Sequence, residues 1–324
     1  MARPWYLLAD IGGTNARFGI GDTQSSDLHF LCTEAVSDHP SARSALESFL
    51  SRVRASGEWE PLPAEGCLAV ACPTDEPVIT FTNSDWIIDK QDLALFLELD
   101  RVSVINDFSA IAYATTSLGE SDWEQIGPGA EQEQRPIAIL GPGTGLGVSG
   151  VFRDGGEARV LSGEGGHVDF APVGSEELEV LRVLLGRYKR VSAERLLSGA
   201  GLQNIYWALS ELGGTPSVHA TPADITTSAL ANEDPVAVAS LMLFCSVLGG
   251  VAGNLALTLG ARGGVYIAGG IAPRILGFIK KSPFRERFVA KGRFRDYLDA
   301  IPTRVITADN PGLFGALTYL KQRS

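Results

Sequence analysis

The stretch LLADIGGTNARFGI, Leu7 to Ile20, limits what this chain can fold into more than any other segment. An apolar strand ends at an acidic residue, Asp10. A double glycine then reverses the backbone, and Arg17, Phe18 and Ile20 start a second strand. Gly12 and Gly13 permit a tight turn whose amides can face an anion, and Thr14 and Asn15 add side-chain donors. A carboxylate beside a phosphate would repel it unless a divalent cation lay between them, so Asp10 is expected to partner hydrated Mg²⁺. Alone, the pattern fits an ordinary β-hairpin equally well.

Pro136 to Phe152, PIAILGPGTGLGVSGVF, is a second element of the same kind, with Gly141, Gly143, Thr144, Gly145 and Gly147 in its turn. No lysine follows the glycines, which excludes a P-loop. No glycine stands three residues after the Gly141, Gly143 pair, which excludes the dinucleotide fingerprint. Two such turns far apart in the chain imply two related lobes gripping one phosphate chain.

At 324 residues and 45% apolar, the chain has material for two medium-sized cores. A net charge of −11 with no basic run argues against nucleic-acid or anionic-membrane binding, yet backbone amides and Mg²⁺ can still hold ATP. Cys32, Cys67, Cys72 and Cys245 show no metal-ligand spacing and read as reduced thiols of a cytoplasmic protein. The opening MARPWYLLAD leads into a strand, with no small-residue cleavage site of a signal peptide.

Pro235 to Ala261 carries no charge and is long enough to cross a bilayer, with Gly249 and Gly253 in GxxxG spacing. Its flank of Glu233, Asp234 and Pro235 is a helix cap and first turn, and no aromatic or basic belt marks either end. The segment is therefore expected to be a core helix, buried on all sides, whose glycines allow close backbone approach.

Further strands are expected at Leu28–Val36, Cys67–Cys72, Val102–Asn106 and Val265–Ala268, with two or three more between Ile137 and Leu161. The spacing of Ala42, Ala45, Leu46, Phe49, Leu50 and Val53 gives one apolar helix face. Several helices fall between Glu176 and Ala261, and a last one, opened by Pro311, runs to Lys321. Residues 119–135 read as a linker or exposed loop.

VSVINDFSAIAYA sets Asn106 and Asp107 at the carboxyl end of a strand, where ligands bind in open α/β sheets. Asp107 either caps the following helix or accepts a proton from a substrate hydroxyl. In LSGEGGHVDFAP, two glycines separate Glu164 from His167, a turn that can aim a carboxylate and an imidazole into one small volume. Glu194 in RVSAERLLSG reads by itself as a first-turn glutamate complementing a helix dipole. VYIAGGI brings a strand into Gly269 and Gly270, against which a flat ring such as adenine can lie.

In order, DIGGTNARFGI, VINDFSA, GPGTGLGVSG, GEGGHVDF, SAERLLSG and IAGGIAP resemble the bacterial glucokinases, of the superfamily that also holds hexokinases and actin. The resemblance implies an α/β, two-lobed actin/hexokinase-like (ribonuclease-H-like) fold, with a mixed five-stranded sheet in each lobe and an interlobe cleft. Residues 1–117 plus 308–324 would form the small lobe and 118–307 the large one. It further implies ATP-dependent phosphorylation of glucose at its 6-hydroxyl, with Asp107 as general base and Asn106, Glu164, His167 and Glu194 on the other hydroxyls. Asp10 would hold Mg²⁺ through water. Gly12, Gly13, Thr14, Asn15, Gly143 and Thr144 would cradle the phosphates of ATP, and Gly269 and Gly270 would border the adenosine. The family suggests a homodimer.

The chain departs from its relatives in two places. ROK kinases and repressors carry a cysteine-rich zinc site, and no cysteine lies between Cys72 and Cys245, so no zinc is expected. The family segment before the catalytic strand is matched only loosely by ACPTDEPVITFTNSDW, through Thr82, Asn83 and Trp86. The motifs leave open another hexose, a polyphosphate donor, or a non-catalytic sugar sensor of the same fold.

Overall fold

In WYLLADI every residue except Asp10 is buried, and a strand apolar on both faces belongs in the interior of a sheet covered on both sides. The computed structural model, which describes residues 2–81 and 84–323, places Trp5–Ile11 (β1) there. It turns back antiparallel into β2 (Asn15–Asp22), which pairs with β3 (Leu28–Ala35). After α1 (Ala42–Ser56), β4 (Glu65–Val70) runs parallel to β1. A short hairpin, β5 (Val78–Thr80) with β6 (Ile87–Asp89), and α2 (Lys90–Phe96) precede β7 (Ser103–Asn106), parallel to β4, and then α3 (Asp107–Ala114). The sheet order is β3-β2-β1-β4-β7. Thr82 and Asn83 lie outside the described residues, whereas Trp86 is buried with its indole N–H donating to the His39 carbonyl at 3.0 Å.

The chain continues through β8 (Trp123–Gly127), β9 (Ile137–Pro142), β10 (Leu146–Asp154) and β11 (Glu157–Gly163) to four helices. These are α4 (Ser175–Leu185), α5 (Gly199–Gly213), α6 (Pro222–Ala231) and α7 (Pro235–Leu259). Then come β12 (Gly264–Ile267), the short helices α8 (Leu276–Ile279), α9 (Phe284–Val289) and α10 (Arg295–Asp299), β13 (Thr303–Ile306), and finally α11 (Pro311–Lys321). Contacts group residues 1–119, 155–162 and 308–324 as one unit and 120–154 with 163–307 as a second.

The second sheet has the order β11-β10-β9-β12-β13-β8, six strands where five were expected. The sixth, β8, comes from the segment read as a loop. It is an edge strand antiparallel to β13, and its sequence WEQIG buries only Gly127, so it shows neither an apolar run nor a clean alternation. Its Trp123 ring covers the Arg304 guanidinium at 4.1 Å, and Arg304 also donates to Glu131 at 2.8 Å and to the Tyr266 hydroxyl.

The chargeless helix α7 is capped by Asp234, whose carboxylate accepts from Val236 N–H at 2.8 Å. A Cβ on Gly249 or Gly253 would collide with the carbonyls of Phe284 and Phe288, so the glycine face exists to admit the backbone of α9. The helix is not buried all round: 67% of its most apolar window is buried, and Ala239 and Asn254 are exposed.

Candidate active site

In the first unit, the carboxyl ends of the parallel strands β1, β4 and β7 carry Asp10, Cys72 just beyond Val70, and Asn106 with Asp107. Asp10 pairs in register with Arg17, whose guanidinium donates to its carboxylate at 3.5 Å. Burial pushes the Asp10 carboxyl above its ordinary range, and the Arg17 charge pulls in the opposite direction. The start of α11 packs on the same carboxyl: a Cβ on Gly312 would stand 2.8 Å from Asp10 Cγ.

The helix cap is Asn106, whose Oδ1 accepts from Phe108 N–H at 2.9 Å and Ser109 N–H at 3.2 Å. Asp107 is the first helical residue, its Oδ1 accepting from Phe108 N–H at 2.9 Å. The cap assigned above to Asp107 as one alternative thus falls to its neighbour. With the Asn106 oxygen committed to α3, its amide N–H groups are what it can offer a ligand. Burial, then the charge of Asp107, push the Cys72 thiol up to about 11.

Each glycine turn spends an amide on itself. Gly12 N–H donates to the Asn15 carbonyl at 3.0 Å, and Gly143 N–H to the Gly145 carbonyl at 2.8 Å. These two amides are therefore not anion donors, and the exposed donors at the turns are Thr14, Asn15 and Thr144.

In the second unit Glu164, His167 and Glu194 converge. His167 Nδ1 is 3.9 Å from Glu164 and Nε2 is 3.7 Å from Glu194, beyond direct hydrogen bonding and near enough for one hydroxyl to serve two groups. An antiparallel bridge, Asp169 to Ser192, brings them together, framed by Phe170 N–H to Val191 and Ala193 N–H to Val168. Arg190 fastens it, donating to Asp169 at 2.5 Å and to the His167 carbonyl. No sequence pattern flagged Arg190, because its task is set by pairing across a long loop.

The paired glycines have packing reasons. A Cβ on Gly166 would collide with the Leu146 carbonyl and one on Gly165 would meet the Val148 side chain at 2.7 Å, so the turn lies directly on β10. Gly269, at φ +79°, faces the Pro142 carbonyl, where a Cβ would collide. Gly270 opens onto free space and is the one of the pair with room for a ring.

Among the described residues no three His, Cys, Asp or Glu side chains gather as a metal cage. A single carboxylate suits Mg²⁺, which keeps several waters and takes other ligands from phosphate oxygens. Asp10, one-fifth exposed at the mouth of the first turn, fits that use.

A family model described as Glucokinase matches residues 7–323. The chain belongs to the glucokinase family. A glucokinase of Hahella chejuensis is 42% identical over 317 residues, covering 98% of this chain and 97% of the relative. The crystal structure of a glucokinase from an Antarctic psychrotroph superposes with a TM-score of 0.87 at 35% identity, covering 98% of each chain. The glucokinase of Balamuthia mandrillaris, solved in complex with glucose, shares the fold at TM-score 0.80 and 23% identity, over 99% of this chain and 94% of that one.

Proposed function

We propose that this protein transfers the γ-phosphoryl group of ATP to the 6-hydroxyl of D-glucose. Family membership over nearly the whole chain supports that reading, and the observation that carries the sugar side is the Glu164, His167, Glu194 cluster. Two carboxylates, each within 4 Å of one imidazole, offer a polyhydroxylated ligand several charged hydrogen bonds at once.

Asp107 takes the proton as the sugar O6 attacks the γ-phosphorus. The new O–P bond forms while the bond to the bridging oxygen breaks, and ADP leaves. The Asn106 amide, Glu164, His167 and Glu194 hold the remaining hydroxyls. Thr14 and Asn15 of the first turn, with Gly12 and Gly13 shaping it, and Thr144 of the second, with Gly143 shaping it, hold the phosphates, and Gly269 and Gly270 border the adenosine. Asp10 would hold Mg²⁺ through water, and the ion, bound with the nucleotide, would neutralise charge on the transferred phosphate. The assembly we take to be a cytoplasmic homodimer. The family resemblance supports the dimer, as do Leu178 and Leu185, exposed one heptad apart on α4, and four free thiols support the compartment. Light scattering at twice 34.4 kDa would bear the dimer out.

The test is ADP release from MgATP with glucose, mannose, fructose or N-acetylglucosamine in turn. Stimulation by glucose above the other sugars is the expected result. Preference for another hexose would keep the chemistry and replace the substrate, and no stimulation by any sugar would overturn the reading.

A further inference from the structure

Glu194 does more than face the cluster. Its Oε2 accepts from the Leu146 amide at 2.8 Å, while its Oε1 is the oxygen turned to His167 Nε2 at 3.7 Å. Leu146 begins β10 immediately after the Gly143–Gly145 turn, so one carboxylate touches both the phosphate turn and the sugar cluster. The contact is close: a Cβ on Gly145 would stand 2.5 Å from Oε2 and 3.4 Å from Cδ. The other end of the turn is held from the same segment, since Gly199 N–H donates to the Gly143 carbonyl at 2.9 Å. Ser198 keeps that segment in shape, its hydroxyl donating to the Glu194 carbonyl at 2.9 Å and accepting from Gly201 N–H at 2.9 Å. Residues 194–199 therefore grip the turn on both sides.

We infer that Glu194 is a positioning residue that couples glucose binding to nucleotide binding. A sugar hydroxyl on one carboxylate oxygen fixes the orientation of the other on the Leu146 amide, and so sets the turn before phosphate arrives. This rests on the reading above, in which Glu194 contacts the sugar and the turn contacts phosphate. A carboxylate is suited to the task because its two equivalent acceptors share one plane, so ordering one orders the other. Coupling of this kind is reciprocal: the factor by which glucose tightens nucleotide binding equals the factor by which nucleotide tightens glucose.

The experiment is calorimetric titration of glucose, with and without the Mg²⁺ complex of a non-hydrolysable imido analogue of ATP, and the converse titration. The wild-type protein should bind glucose at least about 5-fold more tightly with the analogue present, the lower end of ordinary coupling factors. Gly145→Ala, which pushes on the carboxylate without touching sugar, should bring that factor toward one and weaken glucose binding in the absence of nucleotide. Absence of synergy in the wild type, or Gly145→Ala weakening only the analogue, would overturn the proposal.

Glu194 variants give an independent arm should Gly145→Ala misfold. Without glucose, Glu194→Gln should bind the analogue as the wild type does, because its amide oxygen can still accept from Leu146. Glu194→Ala should bind it several-fold more weakly, and analogue binding unchanged in Glu194→Ala would overturn the coupling. Glucose affinity unchanged in Glu194→Gln would instead overturn the sugar contact on which the coupling rests.

Discussion

The two glycine turns share a construction and differ in where their acidic neighbour comes from. In the first, Asp10 sits on the turn's own strand and is balanced by Arg17 directly across the hairpin. In the second, the acid is Glu194, 48 residues beyond the amide it holds. A local acid belongs to its turn in every state of the protein. A distant one makes the turn depend on another part of the fold, and through it on whatever that part binds.

The division can be broken by substitution, beginning where the effect is greatest. Asp107→Ala should lower kcat by roughly 10² to 10⁴ while glucose affinity, measured by titration, changes far less. A fall in activity no larger than the loss of folded protein would return Asp107 to a purely structural part. Gly312→Ala drives a methyl group into the Asp10 carboxyl and should lower kcat/KM for MgATP by roughly 10-fold or more, since a displacement near 1 Å at a reacting site can cost as much as about 10². Its glucose affinity should hold, because the first turn's acid is local, and a matching loss of glucose affinity would erase the contrast between the turns.

Smaller effects sharpen it. Glu164→Gln removes a charged acceptor from the cluster and should raise the KM for glucose about 10-fold, the equivalent of about 1.4 kcal/mol, with little change for ATP. Equal effects on both substrates would take Glu164 out of the sugar site. The least effect is expected at Tyr206 of α5, whose hydroxyl donates to Asp234 at 2.8 Å. Burial raises the Asp234 carboxyl, but Tyr206, the amides of Val236 and Ala237, and His219 together hold it below its ordinary value. An acid lowered on folding stabilises the fold above its unfolded pKa of 3.8, and that contribution is lost as pH falls through the lower folded value. Tyr206→Phe should therefore cost about 1 kcal/mol at neutral pH, and the deficit should shrink in unfolding curves taken below pH 3.8.

What the residues disclosed in advance follows the same line between local and distant. β1, the helix face of α1 and the placement of Asn106 and Asp107 at a strand end were legible because apolar spacing and caps are properties of neighbours in the chain. Glu164 and His167 were legible as a pair, though the glycines between them answer to Leu146 and Val148 on another strand, not to the turn itself. Glu194 looked like a helix-dipole residue, since its partners lie in segments whose approach no spacing records. Arg190, Gly312 and Cys72 were silent for that reason. β8 was misread as loop because an edge strand needs only hydrogen bonds from its partner, and WEQIG has no apolar face to announce it.

The seam between α7 and α9 bears on how the protein is made. Its filler, the backbone of Phe284 and Phe288, is translated after the glycines that receive it. Because domains form as the chain emerges from its N-terminus, a nascent chain halted between Leu259 and Phe284 carries a finished, chargeless helix with an open groove along it. Stalled or truncated products ending in that interval should be the first to aggregate and the most dependent on chaperones, whereas those that extend past Val289 bring their own cover.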